Sequence, residues 1–211
     1  MILKKKKQME QITIEPLRQE ELTEGASVLA SAMCPSPIHM AVFSWQHEKE
    51  HDLQVAFFRA ALGRLLEGTL GAKQGGKIVG VMCYTRSPRC RMTPSEAQQL
   101  LSRLQNVFGD RTPRIVEWRS TWAKHDPGEL HWHFGPFGVL PEKQRRGIGS
   151  QLLRRFCQHV DGLGEAAYLE TDKAENLPLY QRLGFIITGE ELVLGVPNWF
   201  MWRAPQQKST G

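Results

Sequence analysis

Along this chain the spacing of apolar residues changes several times, and each change predicts a new element. From Gln11 to Leu17, Ile12 and Ile14 alternate with polar residues, the two-residue period of a half-buried strand. Glu20 to Ala32 reads as a short helix, and Met33 to Met40 reads as a loop because Pro35 and Pro37 interrupt the run of N–H donors. Leu53, Phe57, Ala61 and Leu65 recur every four residues with Phe58 and Leu62 beside them, which predicts an amphipathic helix from about His47 to Leu66. Thr69 to Lys73 and Lys77 to Tyr84 flank Gln74-Gly75-Gly76 in a hairpin pattern. Residues 94 to 125 are again helical in pattern, with a break at Asp110 to Pro113.

Leu130 to Leu140 is an apolar strand in which Gly135-Pro136 is out of place, since proline cannot donate to a sheet ladder and glycine weakens a strand. A β-bulge accounts for both. Ile148, Leu152, Leu153, Phe156 and Val160 share one face of the following helix, opposite Arg154, Arg155, Gln158 and Asp161. Ala166 to Thr171 is a fifth strand. A short helix opens near Asn176, tolerates Pro178 in its first turn and ends at Gly184, and Phe185 to Leu194 and Asn198 to Arg203 follow as strands. A helix joining the fourth strand to the fifth implies that these two run parallel in a sheet otherwise largely antiparallel, an α/β (α+β) architecture with helices on both faces. Residues 11–203 are expected to form one domain, between a basic tail at 1–10 and a C-terminal tail at 204–211.

Composition narrows the class only a little. With 211 residues, 41% hydrophobic and 23% charged, the chain can bury one sizeable core and lies far from the disordered regime. The net charge of +5 suits nucleic acid, an anionic membrane or an anionic cofactor equally, and the run Lys4 to Lys7 reads as a solvated tail. No apolar stretch reaches the ~18 residues of a membrane span and no signal-peptide core is present, so a cytoplasmic protein is expected. Cys34, Cys83, Cys90 and Cys157 show no paired spacing and are expected to be reduced thiols, with Cys157 a small half-buried helix residue.

The chemistry concentrates between Val139 and Ser150, where the fourth strand meets its helix. Small residues there let a ligand approach the backbone, basic residues flank it, and a helix start offers free N–H groups; together these cradle phosphate. The turn lacks a Walker Gly-Lys-Ser/Thr ending and a G-x-G-x-x-G fingerprint. Gln144-Arg145-Arg146-Gly147-Ile148-Gly149 instead reads Q-x-x-G-x-G, preceded by the V-x-P of Val139 to Pro141. Downstream, Asn176 to Phe185 reads N-x-x-x-Y-x-x-x-G-F. The two stretches, in this order, resemble motifs A and B of the GNAT superfamily of acetyl-CoA-dependent N-acetyltransferases, a resemblance that covers about Gln11 to Arg203. Residues 94 to 125 depart from it as a helical insertion between the third and fourth strands. His131-Trp132, Phe137-Gly138-Val139, Leu169-Glu170-Thr171 and Val196-Pro197-Asn198-Trp199 are similar to puromycin N-acetyltransferase-like members, which favours a small-molecule amine over a protein as acceptor.

The resemblance implies acetyl-CoA as co-substrate. It implies that amides of Gln144, Arg145, Arg146, Gly147, Ile148, Gly149 and Ser150 bind pyrophosphate, and that Phe137, Gly138 and Val139 hold the pantetheine arm with Asn176 opposite. Tyr180 matches the motif B tyrosine that protonates the departing thiolate, a role a phenol with an ordinary pKa of about 10 can fill; the structural alternative is packing beside Phe185. His133 occupies the place of a catalytic glutamate in some members and titrates near neutrality, with His131 and Glu170 as rival bases and a purely structural histidine as the other reading. A zinc site from His125, His131 and His133 lacks a cysteine or carboxylate placed by spacing, and His47 and His51 read as solvent-facing, so no metal is expected. Trp118 and Trp122 read as one packed helix face, with pocket lining as the alternative. The leading expectation is an N-acetyltransferase working by direct transfer in a ternary complex. Set against it are an acetyl-CoA-binding sensor without turnover, a protein or peptide N-acetyltransferase and, remotely, a basic nucleic-acid-binding module. Neither nucleic acid nor membrane is expected as a partner, and a homodimer is left open.

Overall fold

The computed structural model describes residues 11–43 and 48–206, so the tail at 1–10, His47 and the last residues from 207 lie outside the described residues. The chain runs through β1 (Ile12–Pro16), α1 (Leu22–Met33), α2 (Pro37–Phe43), α3 (Glu48–Leu65), β2 (Thr69–Gln74) and β3 (Lys77–Arg86). It continues with α4 (Pro94–Phe108), α5 (Thr112–His125), β4 (His131–Val139), α6 (Ile148–Leu163), β5 (Ala166–Thr171), α7 (Leu177–Gln181), β6 (Ile186–Val193) and β7 (Val196–Arg203). Among the described residues the strands form one sheet in the order β1-β2-β3-β4-β5-β7-β6, and β4–β5 is its parallel pair. This is the topology expected above.

Apolar periodicity decides which helix covers which face. Leu22, Ala26 and Leu29 of α1 pack with Phe58 and Leu62 of α3 against Ile78, Val81 and Cys83. On the other face Leu152, Leu153 and Phe156 of α6 meet Val79, Met82, Phe134 and Leu169, with Tyr180 of α7 beside them. A third cluster is built from the insertion: Leu104, Phe108, Ile115 and Trp118 enclose Ile38, Val42 and Phe43 of α2 and Val193 of β6. Trp118 is therefore core, and Trp122 donates its indole N–H to Asn198 Oδ1 at 3.0 Å, which agrees with the packed-face reading. Among the described residues no single helix is long and apolar enough to cross a membrane.

The segment expected as a loop at 33–40 is partly helical. Only the break at Cys34 to Ser36 is irregular, and α2 begins at Pro37, where a missing N–H costs a helix nothing. Ile38 and Val42, like His39 and Phe43, are four apart and buried, and Asp172 Oδ2 accepts the Ile38 N–H at 2.8 Å. The two prolines obscured a period that tertiary burial completes.

The bulge is where the pattern placed it. Met82 pairs with Phe137 and Tyr84 with Phe134, so two steps along β3 match three along β4 and one residue of Gly135-Pro136 is extra. Parity then changes: Phe134, Phe137 and Val139 all turn toward α6, whereas Gly138 turns toward α1. A Cβ added to Gly138 would lie 2.7 Å from the Ala32 Cβ, so α1 sits against bare backbone. Gly138→Ala is expected to push α1 off β4 and cost about 1–3 kcal/mol, the range for overpacking, read as a lowered midpoint in thermal melts followed by circular dichroism; an unchanged midpoint would contradict this packing.

Candidate functional site

The β4–α6 turn is shaped to leave its backbone free. Pro141–Lys143 forms one 3-10 turn, Arg145 adopts φ 58° and Gly147 φ 79°, and α6 starts with no side chain capping it. A helix start without a cap leaves amides at Ile148 to Ser150 needing an acceptor, in a region of positive potential. Gln144, the first residue of the motif, uses its side chain to tie the turn to the strand: Nε2 donates to Val139 O at 3.0 Å. Lys143 Nζ donates to Gln74 Oε1 at 2.8 Å, while Arg145 and Arg146 are exposed. Gly149 lies against Phe137, whose Cζ would be 3.2 Å from an added Cβ, so the helix start and β4 approach closely. A cleft of about 480 Å³ borders the turn, lined by Val28, Lys77, Leu140 and Lys143 among others, with no residue of β5 or α7.

Beside the turn the sheet is open. β4 pairs with β5 only at His131–Ala166, Trp132–Ala167 and His133–Tyr168, and past the bulge Phe137, Gly138 and Val139 have no β5 partner. α7 follows β5, and its preceding turn carries Asn176, whose carboxamide caps nothing. Pro178 occupies the first turn of α7 and Gly184, at φ 88°, follows its end. Tyr180 is 5% exposed, with ring centroids 5.9 Å from Phe134 and 6.3 Å from Phe185. Its hydroxyl has no hydrogen-bond partner among the described residues. Burial, and after it the negative charge of Asp172, push the phenol above its ordinary pKa, and the group keeps its proton at neutral pH.

On the sheet face away from α6, His131 and His133 lie side by side with ring centroids 6.2 Å apart, because the bulge comes only after them. His133 Nε2 is 2.7 Å from Glu170 Oε2 on β5, and its Nδ1 is 3.4 Å from Asp126 Oδ2 in the α5–β4 connection. Burial works against a charged His133, but the Glu170 charge and the hydrogen bonds with Asp126, Cys90 and Glu170 outweigh it and raise its pKa well above the ordinary value. His131 is fully buried; Nδ1 donates to Glu129 O at 2.8 Å, and Nε2 is 3.8 Å from both Cys90 Sγ and Asp126 Oδ1.

His125 stands apart, with Nε2 2.6 Å from Glu191 Oε2 and its ring stacked on Phe200 at 3.7 Å, so the three histidines considered as a set do not meet. The residues that do join His131 and His133, Cys90 and Asp126, carry no motif. Their only sequence signal is position: Cys90 just before the insertion and Asp126 just after it.

Residues 31–185 match the model of the Acetyltransferase (GNAT) family. A Corynebacterium glutamicum structure described as histone acetyltransferase HPA2 and related acetyltransferase is similar with a TM-score of 0.71 at 23% identity, covering 94% of this chain and 99% of that one. A polyamine N-acetyltransferase from Drosophila melanogaster, which forms N-acetylagmatine, gives a TM-score of 0.65 at 12% identity over 92% of this chain and 100% of that chain. Arylalkylamine N-acetyltransferase 2 from Aedes aegypti gives 0.66 at 12% identity over 92% and 98% respectively. These structural likenesses carry the fold.

If the uncapped start of α6 is the phosphate cradle, filling it should abolish its use. Gly149→Leu is expected to weaken acetyl-CoA binding at least about tenfold, a change of ~1.4 kcal/mol, by isothermal titration calorimetry, with the far-UV circular dichroism spectrum unchanged. Unaltered affinity in the folded variant would remove the turn from the site.

Proposed function

The chain belongs to the Acetyltransferase (GNAT) family, is an acetyltransferase that uses acetyl-CoA, and from that premise we propose that its acceptor is the primary amine of a small molecule, acetylated directly in a ternary complex. The observation that carries the proposal is the opening between β4 and β5, with an uncapped helix start at one end and a buried, protonated phenol beside the other. The small-molecule assignment is supported by the α5–β4 connection, which brings Asp126 against His133 on the sheet face that, in this reading, an acceptor would approach. An extended peptide would need that face open. The polyamine and arylalkylamine acetyltransferases of the same fold, and the puromycin N-acetyltransferase-like residues, point the same way.

Acetyl-CoA supplies the acetyl group as a thioester. In this reading amides from Gln144 to Ser150 receive its pyrophosphate, with Arg145 and Arg146 adding charge, and the unpaired edge of Phe137, Gly138 and Val139 holds the arm opposite Asn176. Amine attack requires a neutral nucleophile and a proton for the departing sulfur. Tyr180 holds that proton on its hydroxyl. His133 remains in the proton-accepting unit, but as an imidazole already protonated between Asp126 and Glu170, which places the accepting lone pair on the Glu170 carboxylate, reached directly or through water.

Two measurements test the proposal. Tyr180→Phe removes one oxygen, so acetyl-CoA affinity should stay within about twofold while kcat falls roughly 10²–10⁴-fold, the usual contribution of a positioned proton donor; an undiminished kcat would return Tyr180 to a packing role. In a thiol-release assay across polyamines, arylalkylamines, aminoacyl nucleosides, amino acids and peptides, small amines should be turned over in preference to peptides. Turnover of peptides alone would overturn the acceptor class.

A further inference from the structure

We propose that Cys90 Sγ, Asp126 Oδ2, His131 Nε2 and His133 Nδ1 bind one zinc(II) ion, a site separate from acetyl-CoA binding that clips the helical insertion to the central strand. The four residues each direct a ligand atom inward, and those atoms all lie within 4.8 Å of one another. Around a tetrahedral zinc with bonds of about 2.0–2.3 Å, ligand atoms are roughly 3.3–3.7 Å apart. Here Cys90 Sγ to His131 Nε2 is 3.8 Å and His133 Nδ1 to Asp126 Oδ2 is 3.4 Å, so two of the six edges are already close to those of that tetrahedron, and the others, all within 4.8 Å, need only contract.

The outer contacts prepare both histidines as ligands. His131 Nδ1 donates to Glu129 O, which leaves the lone pair on Nε2, and His133 Nε2 keeps its proton on Glu170, so that loss of the Nδ1 proton to an incoming metal exposes the lone pair there. Both lone pairs point at the same space. A carboxylate or carbonyl behind each ligating imidazole is the usual support of a protein metal site. Arg91 Nε takes Asp126 Oδ1 at 2.7 Å, fixing the carboxylate with Oδ2 turned inward. On binding, the Cys90 thiol and the His133 Nδ1–H each release a proton to solvent; zinc with one thiolate, one carboxylate and two neutral imidazoles is then neutral, and Arg91 and Glu170 balance each other outside it. One sulfur, two imidazole nitrogens and one carboxylate oxygen suit zinc and exclude magnesium or calcium, which take oxygen donors.

The placement supplies the purpose. Cys90 precedes α4, Asp126 directly follows α5, and both histidines belong to β4, so one ion would join the two roots of the insertion to the strand that opens the acetyl-transfer gap. With Nδ1 on the metal, the His133 Nε2–H is held on Glu170, and the basic end of that pair is the carboxylate.

Chelator-treated full-length protein titrated with Co²⁺, then Zn²⁺, tests this without reference to turnover. One equivalent of Co²⁺ should give the intense visible bands of a tetrahedral site with a near-UV thiolate charge-transfer band, both bleached by Zn²⁺. Cys90→Ser should lose the charge-transfer band and weaken zinc binding beyond the roughly 10–100-fold typical of removing an outer-shell partner, whereas Cys157→Ser should match the wild type. Glu170→Gln keeps all four ligands and should retain the tetrahedral spectrum with affinity lowered about 10–100-fold, which gives a reading even if Cys90→Ser does not fold. Failure of the wild type to bind Co²⁺ stoichiometrically, a weak octahedral spectrum, or an unchanged spectrum in folded Cys90→Ser would overturn the proposal. Because every readout is metal binding, its failure leaves the acetyl-transfer reading standing.

Discussion

One residue of excess on β4 relative to β3 organises the functional half of this molecule. A strand that carries an extra residue bends and twists more strongly than its partner, and here β4 stays with β3 to its end but parts from β5 after His133. The edge released is Phe137 to Val139. The same residue inverts the facing of everything after it: Phe137 and Val139 turn to α6, and Gly138 turns to α1, where only a glycine lets α1 approach. His131 and His133, before the bulge, keep the original parity and look to the opposite face. One ladder defect thus assigns the two sides of β4 different tasks.

The two ends of the opening meet opposite electrostatic demands. At the turn, exposed Arg145 and Arg146 and an uncapped helix start create positive potential with little desolvation cost, which suits an anionic group held near water. Within the core, Tyr180 is packed among Phe134 and Phe185 near Asp172, and burial disfavours its ionised form. On the far face, His133 is stabilised as a cation by Glu170 and Asp126 despite its burial. The protonation of Tyr180 and of His133 follows from their neighbours rather than from residue type.

The insertion α4–α5 gives the fold its individual character. Its apolar face, with α2 and the β6–β7 end of the sheet, forms a cluster largely separate from the two that sandwich the sheet. Its roots bring Cys90 and Asp126 to β4.

Elements with strong local signals were legible in the residues alone. The i, i+4 run from Leu53 to Leu65, the glycine turn after Gln74, the ladder-breaking Gly135-Pro136, and the paired Q-x-x-G-x-G and N-x-x-x-Y-x-x-x-G-F stretches each encode their conformation within a few residues, because backbone geometry and hydrogen-bond supply are local properties. These were enough to identify the strands, to make β4 and β5 a parallel pair and to locate the β4–α6 turn and the helix that carries Tyr180. α2 was not legible, since its two-residue apolar stripe becomes decisive only against Phe108 and Trp118, which are far away in sequence. Nor was the company of the histidines: Cys90 and Asp126 reach His131 and His133 only when β3, the insertion and β4 close on one another, and His125, adjacent in sequence to Asp126, is drawn instead to Glu191 and Phe200. Spacing along a chain determines local shape, but ligand sets and protonation states depend on through-space distance, and that is decided by tertiary packing.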